Sequence, residues 1–414
     1  MVNNGYKKTE IGLIPEDWEL CSIEHNFDFY QNNTYSRDCM NDVSGTVCNI
    51  HYGDVLIKYG AILECDKEDI PFINPEISVN TINRTIQSGD IIMSDTAEDE
   101  TVGKAVEVVN VGNKTIVAGL HTFFIRPHAN LFAQRYLGYF INSPVYHDQL
   151  LPHIVGTKVS SISKKSLAET FVLRPPIPEQ EAIAKALSDI DNLIANLEKL
   201  IAKKKAVKKG AMQELLTGKK HLPGFNSEWV EKPLEDISIE IIMGQSPDSQ
   251  NYNDQRIGLP LIQGNADINN RQTIIRYFTK EVTRIGKSGD IILTVRAPVG
   301  NVAKTYFDCC LGRGVCAIRG NEFLYQLLVL FEPCWANIST GSTFDSISSD
   351  ELKAVNFLIP TDENEQSAIA SILSDMDNEI SEIEEKLSKY RNIKIGMMQT
   401  LLTGQIRLYN QDTI

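Results

Sequence analysis

Apolar positions along the chain follow two rhythms. The slower one places Ile183, Leu187, Ile190, Ile194, Leu197 and Ile201 in one stretch, and Ile369, Leu373, Met376, Ile380, Ile383, Leu387 and Tyr390 in another. Steps of four and three alternate, which sets one narrow apolar seam along a long helix and is the spacing of a coiled coil. Docking of each seam on its own globular domain is the weaker alternative, because core-facing helices carry wider apolar stripes. Pro175, Pro176 and Pro178 stiffen the entry to the first helix, and Gly218 and Gly404 supply the stops. The faster rhythm gives β-type runs: "DVLIKYG", "DIIMS", "AVEVV" and "TFFIR" early in the chain, "LPLIQG", "DIILTV" and "GVCAIR" later. Gly, Asn and Asp turn signals separate them. One helical stretch stands out in each set, "ANLFAQRYLGYFIN" and "NEFLYQLLVLFE". The pattern predicts two mixed α/β domains, each followed by a long helix.

The two halves are written from one template. "MQELLTG" (Met212 to Gly218) returns as "MQTLLTG" (Met398 to Gly404), and the whole helix from "LSDIDNLIANLEKL" matches that from "LSDMDNEISEIEEKL" in register without a gap. Upstream, "GTKVSSISKKSL" answers "GSTFDSISSDEL", and "SGDIIMS" answers "SGDIILT". Each half also opens on a tryptophan phrase, at Trp18 and Trp229. A divergent block followed by a near-constant helix, twice, is an internal repeat. It divides the chain into a first domain (1–178), a first long helix (179–220), a second domain (221–360) and a second long helix with its tail (361–414). Charge suggests how the helices pair. "KKKAVKK" (Lys203 to Lys209) lies late on the first, while Asp375, Asp377, Glu379, Glu382, Glu384 and Glu385 lie early on the second. Antiparallel packing brings these together, and sets Asp189 and Asp191 toward Lys386, Lys389 and Arg391. Exposed pairs contribute under about 1 kcal/mol each, so they select orientation more than stability.

Composition adds limits. A chain of 414 residues, 42% hydrophobic and 23% charged, has the make-up of a folded protein of two or three domains. No apolar run approaches the ~20 residues of a membrane span, and no apolar signal core opens the chain, so the expected location is the cytoplasm. Eight cysteines without a CxxC pair point to reduced thiols rather than a metal site. The net charge of −14 argues weakly against nucleic acid over the whole surface, although local patches decide binding.

Catalytic patterns are missing. The chain has no GxxxxGK[ST] loop, since Glu281 stands where the first glycine belongs, and no GxGxxG, HExxH, GxSxG or Asn/Asp-Pro-Pro-aromatic motif. The acidic cluster "ECDKED" reads as a solvated loop. Binding leaves more trace. The stretch from Met243 to Gly320 is locally basic, and the amide- and hydroxyl-rich phrases "GQSPDSQNYND" and "LIQGNADINN" accompany its cations. Arg can hold guanine, Gln or Asn can hold adenine, and Lys or Ser/Thr can anchor phosphate. Candidate DNA-contacting residues are Gln245, Gln263, Asn265, Arg271, Arg296, Lys304 and Arg313 in this block, and Lys58, Arg84, Lys104, His121 and Lys158 in the first domain. No catalytic or metal-ligating residue is assigned.

The phrases "IHYGDVLIKYG", "VAGLHTFFIRP", "LPLIQGNADI" and "SGDIILTVRAPVGNVA", with the twice-written helix ending in "MQxLLTG", resemble the specificity subunit of type I restriction-modification systems. The resemblance covers nearly the entire chain. It implies a mixed α/β fold in which two target recognition domains in a pseudo-twofold arrangement are joined by two long antiparallel coiled-coil helices. It also implies a non-catalytic chain that reads a split double-stranded DNA sequence and scaffolds two methyltransferase subunits and restriction/translocase subunits. The complex would use S-adenosylmethionine, ATP and Mg2+, none bound by this chain. A helix of about 35 residues spans about 50 Å, enough to hold two readers roughly one DNA turn apart. The competing readings are a coiled-coil scaffold or antagonist that reads no DNA and, third, an autonomous DNA methyltransferase or nuclease.

Overall fold

The computed structural model describes residues 5–79, 81, 84–156, 158–335 and 346–408. Part of the "GSTFDSISSDEL" phrase, residues 341–345, and Thr157 of its counterpart lie outside the described residues. The chain forms two compact units. One comprises residues 1–197 together with 386–414, the other residues 198–385. Each unit therefore takes one half of each long helix.

In the first unit a five-stranded sheet runs in the spatial order Phe27–Tyr30, Thr122–Pro127, Ile91–Ser94, Ala105–Val109, Ile62–Glu64. A four-stranded sheet follows the order Thr115–Ala118, Val47–Ile50, Phe72–Ile73, Met40–Asn41. The second unit repeats the plan with a six-stranded sheet around Ile291–Thr294 and a five-stranded sheet around Leu259–Ile262. "SGDII" has one job in both. Asp90 is buried, caps its turn through the Gln87 N–H at 2.6 Å, and holds Arg126 in a two-pronged pair at 2.6 and 2.7 Å. Asp290 does the same with the Lys287 N–H at 2.7 Å and with Arg319 at 2.9 and 3.0 Å. Arg126 and Arg319 thus serve the fold.

The long helices run Ile177–Leu215 and Glu363–Leu401, 39 residues each. Their entry turns are held over the domains by paired strands, Glu19–Ser22 with Phe171–Arg174 in one unit and Trp229–Pro233 with Asn356–Pro360 in the other. Ile183 and Leu187 consequently join a domain core with Trp18, Tyr136 and Phe140. Ile369 and Leu373 join one with Leu234, Phe323 and Leu328, and Met376 packs against it. The single continuous seam expected from the spacing is corrected at these entry positions. The central positions Ile190, Ile201, Ile380, Ile383 and Leu387 are buried, while Ile194, Leu197 and Tyr390 are half-buried.

Ion pairs fix the helix direction within each unit. Lys205 meets Glu384 at 2.7 Å and Lys208 meets Asp377 at 2.5 Å, so partners descend on one helix as they ascend on the other. Lys204 pairs with Glu379. In the first unit Asp191 reaches Lys394 at 2.6 Å, further along than the expected lysines, and Asp189 turns to Lys185 on its own helix at 2.6 Å. The register of the helix pair, not the nearest opposite charge in the sequence, decides these partners.

The repeated "MQxLLTG" ends are latches. Leu401 and Leu402 enter the core that holds Trp18, and Leu215 and Leu216 enter the core that Trp229 packs against. Gly404 has φ +70°, and a Cβ there would lie 2.5 Å from Pro15. Three residues on, Arg407 donates to both oxygens of Glu179 at 2.6 and 2.7 Å and to both of Asp17 at 2.9 and 2.7 Å. The Trp18 indole N–H adds a bond to Glu179 at 2.9 Å. In the second unit Glu365 takes the place of Glu179, with His221 Nδ1 at 2.9 Å on one oxygen and the Ser227 hydroxyl on the other.

Candidate nucleic-acid interface

Strand ends position the polar groups of each unit. In the second, the Gly312 N–H donates to Ile262 O at 2.8 Å where the strand Leu259–Ile262 stops, and Gln263 follows. The backbone N–H of Gln263 donates to buried Asp267 at 2.7 Å. Gly314 passes so close that a Cβ would lie 2.2 Å from Gln263 O, which only glycine permits. Around Gln263 lies an open depression of about 540 Å³, lined by Ser246, Ser249, Tyr252, Asn265, Arg296 and Arg313 among others. Arg296 and Arg313 are exposed and make no ion pair among the described residues.

The first unit has the same frame with different groups. The Gly119 N–H donates to Ile50 O at 2.8 Å, so His51 occupies the place of Gln263. His51 is buried, and that burial pushes its imidazole pKa below the usual range. Its Nδ1 accepts from the Gly53 N–H at 3.2 Å, leaving the proton on Nε2. Tyr52 lies 4.5 Å from the His51 ring and edge-on to His121 at 5.5 Å. His121 Nδ1 stands 3.3 Å from Asp95, whose carboxyl is raised by burial against the pull of His121.

Of the residues singled out from the sequence, Gln263, Asn265, Arg296 and Arg313 come together around the depression, with Gln245 one residue from its rim. Arg271 and Lys304 are drawn into the fold. Arg271 pairs with Glu332 and donates to Val302 O at 3.3 Å, while Lys304 pairs with Glu322 and lies 4.5 Å from the Tyr325 ring. In the first unit, His121 lies in the His51 cluster, but Lys104 donates to Leu56 O at 2.7 Å and burial depresses its pKa. Arg84 is tied to Gln31, and exposed Lys58 donates to Asp69 O at 2.5 Å. Lys158 is exposed on a separate loop. Tyr252, Ser246 and Ser249 were not singled out individually, although the phrase "GQSPDSQNYND" contains all three. His51, Tyr52 and Asp95 were also missed. The signal for His51 and Tyr52 was the match of "NIHYGD" to "LIQGNAD" at the strand ends, and Asp95 directly follows the repeated "SGDIIMS" phrase.

Among the described residues, no helix is long and apolar enough to cross a membrane, and no group of three His, Cys, Asp or Glu side chains is arranged to hold a metal ion. The family model described as type I restriction modification DNA specificity domain matches twice, over residues 44–206 and 226–390. The chain belongs to that family. A Methanocaldococcus jannaschii protein described as the MjaX type I restriction enzyme specificity subunit is 30% identical over 97% of each chain. The MjaVIII specificity subunit of the same organism is 26% identical over 62% of this chain and 66% of that protein. The fold is similar to a crystallised type I restriction-modification S subunit from M. genitalium, with TM-score 0.61, 15% identity and 97% coverage of both chains. It also resembles a chain from a structural study of complex assembly and conformational transition of the type I R-M system. That match has TM-score 0.57 and 20% identity, covering 95% of this chain and 99% of the other.

Proposed function

We propose that this specificity subunit reads a bipartite duplex, one half-site per domain, and carries no catalytic centre of its own. The observation that supports this most directly is the contrast at equivalent strand ends. The frame is repeated, from the Asp–Arg anchor to the Gly–Ile hydrogen bond, while the polar groups on it differ: half-buried Gln263 with exposed Arg296 and Arg313 in one unit, buried His51 with half-buried Tyr52 and exposed His121 in the other. Amide and guanidinium groups match base edges in the major groove, and the remaining cations match phosphates. Two unlike readers on one frame suit a target whose halves differ.

The helices set the distance between half-sites in this reading, and methyltransferase partners recruited by the chain flip and methylate an adenine with S-adenosylmethionine. Restriction partners use ATP and Mg2+ on unmodified DNA. Sequencing methylated adenines in host genomes with and without the chain tests the whole proposal. Deleting one heptad from both long helices is expected to change the spacer and leave both half-sites intact; an unchanged spacer rejects the role of the helices. The purified chain alone, given DNA, Mg2+ and methyl donor, is expected to give no turnover. Steep salt dependence of binding by the assembled complex separates this function from a scaffold that reads no DNA.

A further inference from the structure

Resting on the reading of the second domain as a DNA reader, we infer that Gln263 reads an adenine and that Tyr252 is the positioning residue that makes it prefer adenine over guanine. Two hydrogen bonds fix the orientation of the Gln263 amide. The Tyr252 hydroxyl is 3.1 Å from Pro247 O, and a carbonyl can only accept, so the hydroxyl proton goes there. The hydroxyl oxygen is left as an acceptor, and its partner is the Gln263 side-chain amide at 2.9 Å. That partner must be the amide nitrogen. The orientation of the amide therefore follows from the network around it.

One amide N–H is used on Tyr252. The amide oxygen and the second N–H have no protein partner among the described residues, and Gln263 lines the depression. An acceptor beside a donor complements adenine, whose major-groove edge offers the N6 amino group and N7. Guanine offers two acceptors, O6 and N7, and would set O6 against the amide oxygen. Flipping the amide would present two donors and suit guanine. It would also turn the amide oxygen toward Tyr252, whose proton would have to leave Pro247 O unpaired. Tyr252 thus opposes the flip. At the equivalent place in the first domain, His51 is locked by a different bond, from the Gly53 N–H, and presents only a donor.

The test uses the chain assembled with its methyltransferase partners and duplexes in which each base pair of the second half-site is replaced in turn. The wild-type complex is expected to lose about 10- to 100-fold in affinity when one A·T pair becomes G·C. Gln263→Ala should flatten the preference at that pair alone and leave discrimination in the first half-site unchanged. Tyr252→Phe, with its thermal melt compared with wild type to confirm folding, should narrow the preference for adenine over guanine at the same pair without changing affinity for non-specific duplex. Gln263→Ala weakening every duplex equally, or flattening a G·C position, overturns the inference. A wild-type complex indifferent to every pair of that half-site overturns the underlying DNA-reading assignment instead.

Discussion

Glu179 and Glu365 are both fully buried, and each needs its partners because an uncompensated buried carboxylate is costly. Arg407 serves Glu179 with two bonds and ties in Asp17, whereas Glu365 relies on His221 and Ser227. Arg407→Met is therefore expected to destabilise by about 3 kcal/mol, at the low end for breaking a buried pair because Trp18 still donates and the guanidinium is partly exposed. His221→Leu should cost less, about 1–2 kcal/mol, because the Ser227 hydroxyl remains. Urea midpoints of the two variants make the comparison. The sequence displays all of these charges but not their partners. Arg126 and Arg319 looked like any other cation until the sheets brought them to Asp90 and Asp290.

At the scale of elements, the repeat conceals an exchange of polarity. Glu107 and Lys304 hold the same strand position, opposite Ile91 and Ile291, and each faces the start of a helix. Glu107 accepts from the Gly138 N–H at 2.8 Å, while Lys304 meets Glu322 in the first turn of the helix Glu322–Phe331. Burial pushes the Glu107 carboxyl up to about 7 against the N–H bonds of Gly138 and Arg135. A carboxyl that binds its proton more tightly when folded favours folding at low pH, and this contribution is lost as pH rises from about 4.5 to about 7. Unfolding free energies of wild type minus Glu107→Gln should fall by about 3 kcal/mol across that window and level off above it. The helix interiors offer the opposite kind of change. At Gly210 and Gly396 an added Cβ meets nothing within 4 Å, so Gly210→Ala and Gly396→Ala should each raise stability by about 1 kcal/mol in thermal or urea unfolding. Gly404→Ala, at positive φ against Pro15, should lower it.

At the scale of the whole molecule, the first unit is discontinuous in the sequence. Residues 1–197 lack the segment that supplies Leu401, Leu402 and Arg407 to their core and to Glu179. Expressed alone, residues 1–197 should give broad, non-cooperative unfolding, and a peptide of residues 386–408 added in trans should restore cooperativity and raise the midpoint. Unchanged unfolding with and without the peptide would remove the latch from this account. The twice-written "MQxLLTG" was plain in the sequence, but its task was not, because its partners Trp18 and Trp229 belong to the opening phrases of the domains.

Periodicity and repetition determined a great deal without coordinates. A 3.5-residue rhythm forces a narrow apolar stripe whatever covers it, and two copies of one phrase force two copies of one element, so the long helices, the two domains and the opposite charges that orient the helices were all legible. Only the tertiary structure decided what covers each part of the stripe and which polar groups remain for a ligand. Ile183 and Ile369 carry the same local pattern as Ile190 and Ile380, yet the strands ahead of them turn the first pair into domain cores. Likewise Arg271 and Arg313 are alike in sequence, and Glu332 takes one while nothing described pairs with the other. Local patterns report the chemistry a residue owns; folding brings together distant groups that neutralise, orient or expose it.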